Sequence, residues 1–132
     1  MERKMLLLTP GEHKTELEIK PDNRFTLKAK RNFVGGMLAA MPITPNIDLW
    51  YNDEFLLLKM SPTIVVSHGN NKPTTICGPV FFSSHNGKGV SKGLSQDQMS
   101  HISKMINSNI VQLSEQVPPF KTRIIPWLQL GQ

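Results

Sequence analysis

An apolar strand at residues 78–82 leads through a glycine-rich loop into a strongly amphipathic helix. Ser95 and Gln98 form a capping-box pattern, which predicts that the helix begins there. Apolar residues then recur with helical spacing, which predicts a helix that continues until Pro118 and Pro119 stop it. The apolar stripe comprises Leu94, Met99, Ile102, Met105, Ile106, Ile110, Leu113 and Val117. We expect this stripe to pack against a sheet formed by the same chain.

The rest of the chain carries the patterns of short strands and one short helix. Turn residues such as Pro10-Gly11 and Asn52-Asp53-Glu54 separate apolar or alternating segments. Phe25 to Val34 predicts a short helix that ends at Gly35-Gly36. The predicted strands are 5–9, 15–19, 37–41, 47–51, 55–60 and 75–83. The expected fold class is therefore α+β, with a mostly antiparallel sheet of five to six strands packed by one short and one long amphipathic helix.

The chain is expected to form one α+β domain at residues 1–117, followed by a tail at 118–132. The tail contains the apolar run Ile124-Ile125-Pro126-Trp127-Leu128, which is poorly suited to a solvated segment. We expect the tail to pack on the core or on a second subunit, so a homo-oligomer is predicted.

Charge and cysteine content narrow the classes of partner. The net charge is +5, but charged residues make up only 19% of the chain, which gives a mild preference for anionic partners. Cys77 is the single cysteine and lies in an apolar strand pattern, so a buried thiol in a reducing cytoplasm is expected. No apolar run approaches the ~20 residues of a membrane span, and a soluble chain with no membrane partner is expected.

The loop before the long helix is the predicted ligand-binding segment. Lys88, Gly89, Ser91 and Lys92 combine cations, glycine backbone and the start of a helix, features that attract phosphate. The segment does not have the Gly-Lys-Ser/Thr ending of a nucleotide-binding P-loop. An ordinary flexible connection is the alternative interpretation.

A second basic group lies on or beside the short helix. Arg24, Lys28 and Arg31 are expected to contribute to anion binding from another surface or from another subunit. A nucleic-acid surface is an alternative, although such surfaces normally add aromatic stacking or a known reading motif. A solvated helix face is the simplest interpretation.

The sequence predicts no catalytic site. His13, His68, His85 and His101 are scattered without metal-ligand spacing, so no metal and no cofactor is expected. The serines at 83 and 84 precede His85 directly, but neighbouring side chains on a strand point to opposite faces and do not form a dyad. A non-enzymatic protein is expected.

Several short motifs follow one another along the chain: Pro10-Gly11, Val34-Gly35-Gly36, Asn52-Asp53-Glu54, Gly78-Pro79-Val80-Phe81 and Leu94-Ser95-Gln96-Asp97-Gln98. Their order resembles that of a small uncharacterised domain family found mainly on bacteriophages and other mobile elements. Each motif is weak alone, and their order over residues 5–106 carries the resemblance. The chain departs from the family pattern at Ser61-Pro62-Thr63-Ile64 and in its basic loop, which is often acidic in similar proteins.

The resemblance implies a phage or mobile-element context without implying a reaction. Combined with the charge and the basic loop, it favours a small non-enzymatic protein that binds and sequesters a nucleotide-like anionic ligand, in a counter-defence role. A nucleic-acid-binding accessory protein is the first alternative. The second is a protein-interaction module that inhibits a host factor through an apolar surface such as 124–130.

Overall fold

In the residues that our computed structural model describes, the protein contains two β-sheets and two helices. The model describes residues 3–22, 25–69, 72–85, 91–114 and 122–130. The helices are α1 (Leu27–Val34) and α2 (Gln96–Ser108). The strands are β1 (Lys4–Pro10), β2 (Thr15–Pro21), β3 (Leu38–Thr44), β4 (Ile47–Asn52), β5 (Pro62–His68), β6 (Thr74–Cys77), β7 (Val80–His85), β8 (Ser91–Lys92), β9 (Ile110–Ser114) and β10 (Thr122–Leu130).

The first sheet is antiparallel, with the strand order β2-β1-β7-β4-β3 and the short β8 pairing with β7. β1 lies inside the sheet, where Leu6 is opposite Ile19 of β2 and Phe82 of β7. The second sheet has the order β6-β5-β10-β9. It contains the parallel pair β5–β10, and its other pairs are antiparallel. The α+β class with mostly antiparallel pairing is therefore confirmed.

Because successive side chains of a strand point to opposite faces of the sheet, the central strands separate the core into two parts. Phe82 points into the larger part, which lies between the two sheets and α2, while Phe81 points to the opposite face. That opposite face is covered by α1, which packs Val34 and Phe33 against Phe81 and Leu7. Both central phenylalanines are buried, so the first sheet is covered on both faces at this point.

The long helix is shorter than the sequence predicts. The capping box of Ser95 and Gln98 is present in both directions, at 3.2 and 2.9 Å, and confirms where α2 begins. The helix ends at Ser108, however, and Ile110 begins β9. Residues 110–113 fit the helical stripe and also fit a short strand, and their backbone pairs with β10. Tertiary pairing decided between two patterns that the sequence cannot separate.

Two further expectations change. The single predicted sheet is two sheets, because β5 pairs with β6 and β10 rather than joining the first sheet. The predicted strand 55–60 is a turn.

Residues of the expected tail form β10, which lies between β5 and β9 and buries Ile125 and Leu128 completely. These side chains are part of the core and are not an open interaction surface.

Candidate functional site

The predicted ligand loop is described only at its two ends. Lys88 and Gly89, with Arg24 of the second basic group, lie outside the described residues. Ser91 and Lys92 form β8, whose backbone pairs with His85 and Ser84 at the end of β7. β7 and β8, at the two ends of the loop, are therefore antiparallel neighbours.

A hydrogen-bonded cluster joins β8 to the start of β1. Nη1 of Arg3 donates to the carbonyl of Gly93 at 2.9 Å, and the hydroxyl of Ser84 donates to the same carbonyl at 2.9 Å. A Cβ at position 93 would lie 2.9 Å from Cβ of Asp22 and 3.0 Å from the backbone nitrogen of Lys4. Glycine is required here because the two backbones approach closely. The base of the loop is thus firmly attached to the sheet.

The remaining basic residues of the prediction lie elsewhere. Lys28 and Arg31 are exposed on α1, which covers the sheet face that carries Phe81. Lys92 pairs with Ser84, two residues after Phe82, so the pleat places it on the opposite face. Within one chain, Lys92 and the α1 cations do not form a single site.

The structure adds an Asp–His pair at the start of the loop. Oδ2 of Asp48 lies 2.8 Å from Nδ1 of His85, and the two side chains are 16% and 26% exposed. An ionised carboxylate accepts from Nδ1–H, which leaves Nε2 as the ring atom able to meet a ligand. Two residues further along β4, Nε1 of Trp50 donates to the hydroxyl of Ser83 at 2.8 Å.

Sequence reasoning missed this pair because 37 positions separate its members. The contact depends on the β4–β7 pairing, in which Asp48 lies opposite Ser83. The only local signal is that Ser83 and His85 are two residues apart and therefore share a strand face.

A second feature is the turn between β4 and β5, which we call the leucine turn (residues 52–60). Its beginning is fixed by Asn52, which is 1% exposed. Oδ1 of Asn52 accepts from the backbone N–H of Glu54 at 2.7 Å, and Nδ2 donates to the carbonyl of Val34 at 3.0 Å. One helical bond follows, from the N–H of Leu58 to the carbonyl of Glu54 at 3.1 Å. The turn is therefore tied to the end of α1.

The end of the leucine turn has the hydrogen bonds of a Schellman motif. The N–H of Met60 donates to the carbonyl of Phe55, and that of Lys59 to the carbonyl of Leu56, both at 3.3 Å. Lys59 has a φ of 53° and is the one non-glycine residue with positive φ in the described chain. These bonds hold the end of the turn without a neighbouring strand.

The side chains of this turn divide into two groups. Phe55 is half-buried and makes an edge contact with Tyr51, with ring centroids 5.9 Å apart. Leu56, Leu57 and Leu58 are instead 77%, 78% and 53% exposed. The sequence predicted a strand here, which would have buried alternate leucines. The result is three consecutive large apolar side chains in water on an ordered backbone.

The remaining groups do not point to a reactive or metal-binding site among the described residues. Burial raises the pKa of the Cys77 thiol, which lowers the thiolate fraction at neutral pH and makes this cysteine a weak nucleophile. In the part of the chain that the structure describes, no group of three or more His, Cys, Asp or Glu side chains is arranged to hold a metal ion. Neither described helix is long and apolar enough to cross a membrane.

Comparison with known proteins gives one match. The model of the family DUF3846, described as a domain of unknown function, matches residues 2–107. The match covers most of the chain and agrees with a resemblance to an uncharacterised family. No curated protein and no solved structure matches the chain.

Proposed function

The chain belongs to the DUF3846 family, and we propose that this member is a non-enzymatic binding protein that holds a partner protein through the leucine turn. The observation that carries the proposal is the exposure of Leu56, Leu57 and Leu58 at 77%, 78% and 53%. Single exposed apolar residues are ordinary, whereas a contiguous apolar group on an ordered surface is typical of an interaction site.

The energetics support burial of this group in a partner. Transferring a leucine side chain from water to an apolar site contributes about 1.5–3 kcal/mol. The backbone bonds made by Asn52 and Lys59 already order the turn, so association costs less conformational entropy there than a flexible loop would cost. The exposed charges of Asp53, Glu54 and Lys59 would form a polar rim around the leucines.

The partner's chemistry follows from this surface. It would present an apolar pocket wide enough for two adjacent leucines. In the phage or mobile-element context that the sequence resemblance implies, the partner would be a host protein and the role would be counter-defence. The inhibited activity is that of the host factor, and this chain supplies no reaction of its own.

Quantitative capture from host lysate tests the proposal. The test variant is Leu56→Glu/Leu57→Glu, and the matched control is Leu27→Glu, which changes an exposed leucine on α1 (56% exposed). Since all these positions are exposed, the free energy of unfolding of both variants should lie within about 0.5 kcal/mol of the parent's. We expect a protein that the parent and the control retain and the test variant loses at least tenfold. Equal recovery by all three would overturn the proposal.

A second function, capture of a nucleotide-like anion, is favoured by the lysines and glycines of the basic loop that precedes α2. Here Lys88, Lys92 and the backbone amides of Gly89 and Ser91 would hold phosphates. The cations Arg24, Lys28 and Arg31 would come from another subunit.

Calorimetric titration with a panel of nucleoside phosphates tests this second function. We expect Lys92→Glu to weaken binding about tenfold, with Lys104→Glu on the exposed side of α2 as the charge-matched control. No heat from any nucleotide would remove the second function. Affinity that rises with polymer length and falls steeply with salt would replace it with the nucleic-acid-binding alternative.

A further inference from the structure

In the part of the chain that the structure describes, one long edge of the first sheet has no neighbouring strand along most of its length. β2 lies at the end of the strand order and pairs with β1 alone in that sheet. The N–H of Asp22 donates to the carbonyl of Arg3 at 3.1 Å, and that of Gly11 to the carbonyl of Lys14 at 2.9 Å. In an antiparallel pair such bonds fall on alternate residues. The even-numbered residues of β2 therefore direct their backbone groups toward β1, and the odd-numbered residues direct theirs outward.

Only the middle of this edge is available to a partner. The carbonyl of His13 accepts from the N–H of Ile124 at 2.8 Å, which closes the edge at its beginning. Pro21 ends the strand and has no N–H. In the described part of the chain, no strand pairs with residues 16–20 on the outward side. The outward groups are thus the N–H and C=O of Leu17 and Ile19.

The side chains along this edge are also exposed and apolar on one face. Leu17 and Ile19 are 45% and 46% exposed. Leu17 borders a cleft of about 500 Å³ that also contains Ile106, and Ile19 borders one of about 240 Å³ that also contains Met99. An edge strand of this kind is a template for strand addition.

We propose that a second copy of this chain adds to this edge, so that β2 pairs antiparallel with β2 of the partner subunit. Leu17 then lies opposite the partner's Ile19, and Ile19 opposite the partner's Leu17. Each of these two pairs exchanges two backbone hydrogen bonds, which uses all the outward groups of both residues. The proposed dimer uses no residue of the leucine turn or of the basic loop.

Hydrogen bonding selects this register over its neighbours. A shift by two residues in one direction places Leu17 opposite the partner's Pro21, which lacks a donor. A shift by two in the other direction brings Thr15 into the interface, where the neighbouring Lys14 already forms a bridge with Ile124. A shift by one residue would place the apolar face of one strand beside the charged face of the other.

The charged face of β2 fits the same register. Glu16 lies opposite the partner's Lys20, and because the pair is two-fold symmetric this contact occurs twice. Glu18 lies on the symmetry axis opposite the partner's Glu18. Nζ of Lys20 is 4.0 Å from Oε1 of Glu18 within one chain, so a cation accompanies each of these carboxylates. The two Glu16–Lys20 contacts favour this register, and the single contact between the two Glu18 side chains opposes it.

Disulfide trapping tests the register directly. In a Cys77→Ser background, Glu18→Cys places the two introduced cysteines opposite each other on the axis, at a Cα separation of about 4.5 Å that permits a disulfide. Glu16→Cys is the matched control, since its two copies are about four residues apart along the strands, roughly 14 Å. We expect oxidised dimer from Glu18→Cys alone. Equal trapping of both variants, or of neither, would overturn the proposal.

Charge exchange gives an independent measurement by sedimentation equilibrium. We expect the parent to be a dimer and Glu16→Lys to raise its dissociation constant about tenfold. Glu16→Lys/Lys20→Glu restores opposite charges across the interface and should restore the parent's dissociation constant. A parent that is monomeric at all concentrations, or a double variant no tighter than Glu16→Lys, would contradict the pairing.

Discussion

Two apolar segments of this protein, β10 and the leucine turn, differ in their exposure to solvent. Ile125 and Leu128 of β10 are completely buried between β5 and β9, whereas Leu56 and Leu57 of the turn are more than three-quarters exposed. Hydrophobicity does not separate the two. The difference lies in how each backbone forms its hydrogen bonds. The backbone of β10 bonds to two neighbouring strands, whereas the backbone of the turn bonds mostly within residues 52–60. A locally satisfied backbone leaves its side chains free to face water.

The largest expected effect concerns buried against exposed leucine. Leu128→Ala removes a side chain that is 0% exposed and leaves a cavity between the sheets, which should lower the free energy of unfolding by about 2–5 kcal/mol. Leu57→Ala, the matched control, should change it by less than about 0.5 kcal/mol. Urea denaturation of both variants measures the difference. Similar losses would mean that the turn belongs to the core.

The second largest effect is expected at Asn52, because its side chain fixes the start of the turn. Asn52→Ala leaves the N–H of Glu54 and the carbonyl of Val34 without these partners and should cost about 1–3 kcal/mol. We expect hydrogen exchange to rise at Glu54 and Leu58 and to stay unchanged in β10. Unchanged exchange in the turn would show that Asn52 does not order it.

A smaller effect, of opposite sign, is expected at Lys59. Its φ of 53° is unfavourable for any residue with a Cβ, so Lys59→Gly should stabilise the protein by about 0.5 kcal/mol after the entropy cost of glycine. Lys104→Gly inside α2 is the control and should destabilise by about 1 kcal/mol. Thermal unfolding of both variants gives the comparison, and destabilisation by Lys59→Gly would contradict the motif.

The smallest effect is a change in the reactivity of Cys77, which lies in the second sheet with β10. Burial raises the pKa of this thiol, so the thiolate forms only as pH rises further, and labelling at neutral pH should be slower than for a free cysteine. The same shift stabilises the folded state at lower pH, and this contribution is lost as pH rises through the folded-state pKa. Leu128→Ala should accelerate labelling, and Leu57→Ala should leave it unchanged.

The parts of the fold that follow from local patterns are predictable. Alternation in β2 and the capping box at Ser95 placed these elements correctly. The second sheet was not predicted, because β9 and β10 are defined by their partners, and Ile110 and Leu113 also fit a helix. Local patterns give element type only where no competing pattern exists.

The candidate sites show the same limit. Lys92 was found from the loop composition, but the Asp48–His85 contact requires the pairing of β4 with β7. The leucine turn was interpreted as a strand because it is an apolar run that follows the turn signal Asn52-Asp53-Glu54, while the bonds that fix it come from Asn52 and from the backbone. Side-chain to backbone bonds of this kind leave only a weak signal in a single sequence.

The role of the leucine turn can be measured most directly with a photo-crosslinking amino acid. Placed at position 57, the probe should form a covalent adduct with one host protein in the lysate, and the same probe at position 27 on α1 should not. Adducts of equal identity and yield at both positions, or no protein adduct at position 57, would contradict the assignment of this turn as the binding surface.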